Sequence, residues 1–289
     1  MCFGIVKSEV MYHNILTNKE STDDRRIKKA VKRLRMFIKA DLIYFSKQSG
    51  RFSASGIITV IISKSSPHYY EEIHGHCWKI FKHFEEFTFR FFDRFWVNEE
   101  IENGNPYFIL RCNDGTLIYS RTKEKRVFEI AEISAEDFLR SAGERFDADK
   151  LESDAIGCDL KSHMREGNHL MSAYAIHKYM RYLFMNVSWF LTGEDNPSQN
   201  IVGQLIYLSR FSDRLGNPFN HELTREFSVL EQLECVRESV QNNQKIVPVT
   251  EEHIESALLK LDWLKIETDK LFRDCIEKTK QIFENYENN

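Results

Sequence analysis

Two glycines, Gly167 and Gly193, bracket the stretch that most constrains what this chain can fold into. Between them Ala173, Ile176, Met180, Leu183, Val187 and Phe190 recur at steps of three and four residues. That spacing predicts one long helix with a single apolar stripe turned toward a core. Asn168 suits the start, because a short amide side chain can accept a hydrogen bond from an unpaired backbone N–H. Gly193 suits the end, because a glycine enters the left-handed conformation at little steric cost. His177 and Arg181 lie off the stripe, four residues apart, and so share a second and more polar face.

Ahead of this helix the pattern changes. Residues 1–24 show no sustained period and read as a lead-in. From Arg25, Ile27, Val31, Leu34 and Ile38 mark a helix whose other face carries Arg25, Arg26, Lys28, Lys29, Lys32, Arg33 and Arg35. Such a face is either a solvated surface or a surface for nucleic acid phosphates. Two β-like runs follow, Leu42 to Ser46 and Gly56 to Ser63, the second so continuously apolar that it predicts a buried strand. A helix over residues 69–87, a strand over 87–93, and then a short helix, a turn and a last β-like stretch over 98–119 complete the front part.

Residues 120–133 form a charged connector. Ser134-Ala-Glu-Asp137 has the form of a capping box and opens a helix reaching Met164, with a candidate break near Phe146-Asp-Ala-Asp. After the central helix come a third from Pro197 and Ser198, a loop holding Gly216, Asn217 and Pro218, and a fourth over 222–242 with Phe227 and Leu230 among its core candidates. A fifth is capped by Thr250. Five helices with short links predict a bundle.

Composition narrows the class. At 289 residues the chain is long enough for two domains. Its net charge of −4 divides into +5 through Ile133 and −9 beyond it, an imbalance that concerns partners and not fold. No apolar run approaches the length of a membrane span, and the first residues lack the features of a signal peptide, so the expectation is a cytoplasmic protein without membrane contact. Six scattered cysteines without a Cys-x-x-Cys pair fit reduced thiols that serve packing. His74, His76, Cys77 and His83 do not make a zinc motif, since no second Cys/His pair follows. No metal ligand set is expected.

The order helix-strand-turn-strand-helix-strand, with a Gly-x-x-Tyr-Phe element at Gly104 and a Gly-x-Leu-Ile-Tyr end at Gly115, resembles the minimal nucleotidyltransferase fold of the DNA polymerase beta superfamily. The stretch from Gly167 to Gly193 resembles helix two of HEPN domains (higher eukaryotes and prokaryotes nucleotide-binding). Over roughly residues 26 to 284 the chain thus resembles bacterial proteins that join the two. The expected fold class is α+β: a small mixed-sheet nucleotidyltransferase-like domain over residues 25–122, then an all-α HEPN-like bundle over 134–286.

That resemblance implies chemistry at stated positions. A working nucleotidyltransferase places Gly-Ser after its first strand and alternates two carboxylates on the second, which hold divalent metals for phosphoryl chemistry. Here the first strand ends Phe45-Ser46-Lys47, and no Asp or Glu occurs between Asp41 and Glu71. Asp93 could match a third carboxylate only. The front domain is therefore expected to be a degenerate relative, with magnesium a cofactor only if it retains activity. Ser46, Lys47 and Arg51 remain as phosphate or RNA contacts.

HEPN ribonucleases use Arg-x4-6-His at a dimer interface. Arg214 and His221 fit that spacing by letter, and Arg237 better matches the arginine's place, with Asn242 where the histidine would stand. Asparagine can hydrogen-bond a phosphate but cannot act as acid or base. Binding is favoured over catalysis, and RNA cleavage over nucleotidyl transfer if there is catalysis. The expectation is a nucleotide- or RNA-binding regulatory protein of stress, defence or toxin-antitoxin type. Arg214, His221 and Arg237 serve the ribonuclease alternative, and His177, Arg181, Arg237 and Asn242 are contacts in the bundle. By the same resemblance it would be a homodimer through the HEPN helices.

Overall fold

The computed structural model describes residues 22–48, 55–64, 66, 70–121, 127–196, 198, 200–216, 224–243 and 248–288. Helix α1 (Thr22–Phe37) buries Ile27, Val31 and Leu34, its predicted stripe. Strands β1 (Ala40–Lys47) and β2 (Gly56–Ile62) pair antiparallel. Helix α2 (Tyr70–His83) then carries the chain back, so that β3 (Phe87–Asp93) lies parallel to β2. After α3 (Arg94–Glu102) and α4 (Pro106–Arg111), β4 (Leu117–Ser120) joins the free side of β1 antiparallel. The result is a mixed sheet in the order β3-β2-β1-β4. All seven residues of β2 are buried because both faces of the sheet are covered. Ile58, Val60 and Ile62 meet α1 and α2 in one core, with Phe87 and Phe91 of β3.

The stretch 98–119 departs from expectation by containing a second helix. Asn105 accepts a hydrogen bond from the Tyr107 N–H at 3.1 Å, and Pro106 occupies the first turn, where its missing N–H leaves no donor unpaired. This cap and proline start α4 where a turn was predicted. The turn before it uses Gly104 at φ 77°, and a Cβ there would stand 2.3 Å from the Ala142 nitrogen. Only glycine lets this turn pack so closely on the first helix of the bundle.

Beyond a 3-10 turn at Ile130–Glu132, the chain forms α5 (Ala135–Arg165), α6 (His169–Thr192), α7 (Ile201–Ser209), α8 (Asp213–Gly216), α9 (Thr224–Gln241) and α10 (Glu251–Glu287). The caps act as their residue types dictate: Ser134, Asn168 and Thr250 each accept a bond from the backbone three residues on, and Gly193 ends α6 at φ 87°. Helix α5 runs unbroken through the candidate break at Phe146, whose ring stacks on Phe272 of α10 at 3.9 Å. Residues 213–216, expected as loop, add a short sixth helix.

The larger correction concerns α6. It carries its predicted stripe, yet His177, Tyr179, Asn186, Ser188 and Trp189 are buried as well. Helices pack on it from several sides, so it is the central rod of the bundle, and its open side is a narrow strip where Lys178 is exposed and Tyr174, Arg181 and Tyr182 are partly buried. Of the cysteines, Cys77, Cys112 and Cys275 are buried, while Cys158 and Cys235 are exposed, so not all serve packing. No helix among the described residues is long and apolar enough to cross a membrane.

Candidate functional site

The sheet's second face lies opposite α1 and α2. Leu42, Tyr44, Ile57, Ile61 and Phe92 line it, packed against α4, α6 and the end of α10. The polar groups on this face are bonded to each other and to the helices. Thr59 Oγ1 lies 2.7 Å from the Tyr107 hydroxyl. Buried Arg90 of β3 donates to the Thr192 carbonyl at 2.9 Å and to the Tyr207 hydroxyl, and it pairs with Glu194. Arg210 bonds Thr88 and the carbonyls of Glu85 and Phe87. Asp93, the third-carboxylate position, accepts from the Trp96 N–H at 2.8 Å as the cap of α3. With a buried cation in place of carboxylates and no acid on β2, these residues do not fit a magnesium pair. Ser46 is buried within β1 opposite Ile57, which corrects its reading as a phosphate contact.

A cleft of about 510 Å³ opens instead at the edge of this contact, where the end of β1 meets the bundle. Its cations come from four elements: Lys47 from β1, Arg111 from the end of α4, Arg214 from α8 and Lys278 from α10. Asp213 and Asp274 are the carboxylates among its lining residues. Arg214 reaches Asp274 at 2.8 Å, both about half exposed, so the pair is solvent-screened and contributes little to stability. Gln48 donates to the Phe211 carbonyl at 3.0 Å and ties the strand end to the segment before α8. Cys275 lines the cleft as well. Burial pushes its thiol up to about 11, although Arg111 and Lys278 pull the other way, so it is a poor nucleophile at neutral pH. Among the described residues, four cations against two carboxylates give the cleft a net positive lining.

Two sequence-predicted residues, Lys47 and Arg214, are thus brought together. The others are not. His177, 2% exposed, has no surface to offer a ligand. Its Nε2 stands 3.4 Å from Glu234 Oε1, within reach of charge but without hydrogen-bond geometry. Glu234 also accepts from the Ile201 N–H at the start of α7 and from Arg237 Nε at 2.9 Å. Burial alone would raise the Glu234 carboxyl, but the imidazole, guanidinium and backbone N–H around it hold it below its ordinary value. Arg237 also donates from Nη1 to Gln241 and from Nη2 to Glu238 at 3.0 Å each. This group ties α6, α7 and α9 together and holds Arg237 by three of its five N–H donors.

Arg181 donates to the Ser198 carbonyl at 3.2 Å and pins the link between α6 and α7. Asn242 is exposed in the turn after α9, outside the cleft. Arg51, His221 and the side chains of His74, His76 and Phe227 lie outside the described residues. Arg111, Lys278 and Glu234 were missed by the sequence reading. Each is one charged residue on a helix, and nothing local distinguishes it from its solvated neighbours.

No protein-family model matches the chain, and no curated protein matches it.

Proposed function

We propose that this protein binds a phosphate-bearing ligand, a nucleotide or an RNA segment, in the cleft between the strand end and the bundle, and that it does so without catalysis. The convergence of Lys47, Arg111, Arg214 and Lys278 on one opening, against two carboxylates, carries this reading. The apolar second face of the sheet supports the view of a degenerate nucleotidyltransferase fused to a HEPN-like bundle, since metal-dependent transfer needs acids that β2 lacks. The engagement of Arg237 by Glu234, Glu238 and Gln241 speaks for binding over RNA cleavage. A regulatory role in stress or defence, and a homodimer joined through the bundle, complete the proposal.

Titration of ATP and of a short single-stranded RNA by calorimetry and fluorescence anisotropy, at two salt concentrations, tests it. Saturable binding that weakens with salt is expected, and Arg111→Gln or Lys278→Gln should each weaken it and lower the salt slope by about one. Absence of binding by both probes refutes the reading. Cleavage of the RNA by the wild type would replace it with the ribonuclease alternative.

A further inference from the structure

A second space lies between helices of the bundle, away from the cleft. Helices α5, α6 and α10 form a pocket of about 240 Å³, partly open to solvent and walled in part by Phe146, Tyr179, Leu183 and Ile266. That is below the roughly 300–1,000 Å³ of pockets for drug-sized ligands, so an occupant would be a fragment-sized molecule.

Three buried polar side chains, Ser153, Asn186 and Thr268, line this space from three helices. Thr268 of α10 is 2% exposed, and its Oγ1 has no hydrogen-bond partner. Helical serines and threonines commonly bond back to the carbonyl one turn earlier. Thr279, on the same helix, does so to Cys275 at 2.9 Å, and Ser153 of α5 does so to Asp149 at 3.1 Å. The Thr268 hydroxyl is left over, and a buried hydroxyl without a partner is unfavourable unless something in the cavity bonds it. Asn186 of α6, also buried, brings a carboxamide to the same space.

The charged groups at the rim each have a partner. Lys150 Nζ lies 3.2 and 3.0 Å from the two Asp269 carboxylate oxygens. Lys265 Nζ sits 4.4 Å above the Tyr179 ring, and the Tyr179 hydroxyl donates to Asp154 at 3.0 Å. Two lysines and two aspartates leave no net charge to attract an anion. A neutral occupant suits that balance.

We propose that this cavity binds a neutral heteroaromatic ring of nucleobase size, its polar edge read by Asn186 and Thr268 and its body against Phe146 and Tyr179. A carboxamide presents a donor beside an acceptor, which matches the edge of adenine. The site shares no residue with the phosphate cleft, so the two stand or fall separately.

Calorimetry of the full chain with free adenine, cytosine and uracil, none of which carries a phosphate, tests the inference. One-to-one binding of at least one base, adenine first, is expected. Thr268→Val and Asn186→Leu should each weaken it about tenfold or more. Ile266→Trp, at a position 54% exposed on the rim, should block entry without disturbing the core. Arg111→Gln should leave base binding unchanged. If no base binds, or if binding is indifferent to all three cavity variants, the space holds water only and the inference is overturned.

Discussion

Asp149 and Glu234 are both carboxylates of the bundle, and their surroundings drive them in opposite directions. Burial, with the charges of Asp195 and Glu152 added, lifts Asp149 to about 6 against the pull of Arg145. The folded state thus holds the proton more tightly than the unfolded chain. Its stabilising effect is complete below the ordinary carboxylate range and is lost as pH rises through about 6. Asp149→Asn should raise the melting temperature by a few degrees at pH 7.5, on the order expected for about 1 kcal/mol, and flatten the pH dependence between about 4 and 6. Glu234, held below its ordinary value, has the reverse sign: its contribution is present above about 4.5 and is lost as pH falls through its lowered pKa. Glu234→Gln should cost stability at pH 7, and progressively less as the pH falls below about 4.5, as measured by urea titration across that range. Arg90 is the third such residue. Arg90→Met leaves the Thr192 carbonyl and the Tyr207 hydroxyl without their buried donor, and a loss on the order of 3 kcal/mol in chemical denaturation is expected.

At the scale of the element, β2 shows how far a strand can be read from its letters. An unbroken apolar run predicts burial on both faces, and the structure has it so, with Ile58 and Val60 toward α1 and α2 and Ile57 and Ile61 toward the bundle. The same packing forbids restoring a metal site by substitution. Ile61→Asp would bury a charge among Leu42, Tyr44 and Phe92, at a cost of several kcal/mol, and added magnesium should not recover the melting temperature. A rise in melting temperature with magnesium would show that the face can hold metal after all. Helix α6 marks where such reading stops. Its caps and stripe are local, set within a turn or two, and were legible. The burial of His177 and Asn186 on its other sides was not, because it depends on which helices arrive there.

For the molecule as a whole, the sheet's second face is the decisive surface. Leu42, Tyr44 and Ile61 share a core with Phe138 of α5 and Phe283 of α10, and Ile57 joins the core of α6. Gly193, where α6 ends, lies so close to this surface that a Cβ would stand 2.8 Å from both the Phe92 and Tyr107 rings. Residues 22–121 produced alone would expose that face, and they should aggregate or lack dispersed amide resonances in NMR, whereas the full chain should not. A soluble, well-ordered fragment would show that the front part is an independent unit.

The sequence by itself determined what acts over short distances: the helices, their Asn, Ser and Thr caps, the glycine stops, and the lack of acids on β2. These follow from hydrogen bonds and periodicities that close within about one turn or one strand. Only the tertiary structure decided that Lys47, Arg111, Arg214 and Lys278 share one opening, that Glu234 joins three helices, and that Thr268 is left unbonded beside a cavity. Those residues are far apart along the chain, and their meeting depends on how whole elements pack, which no local pattern encodes.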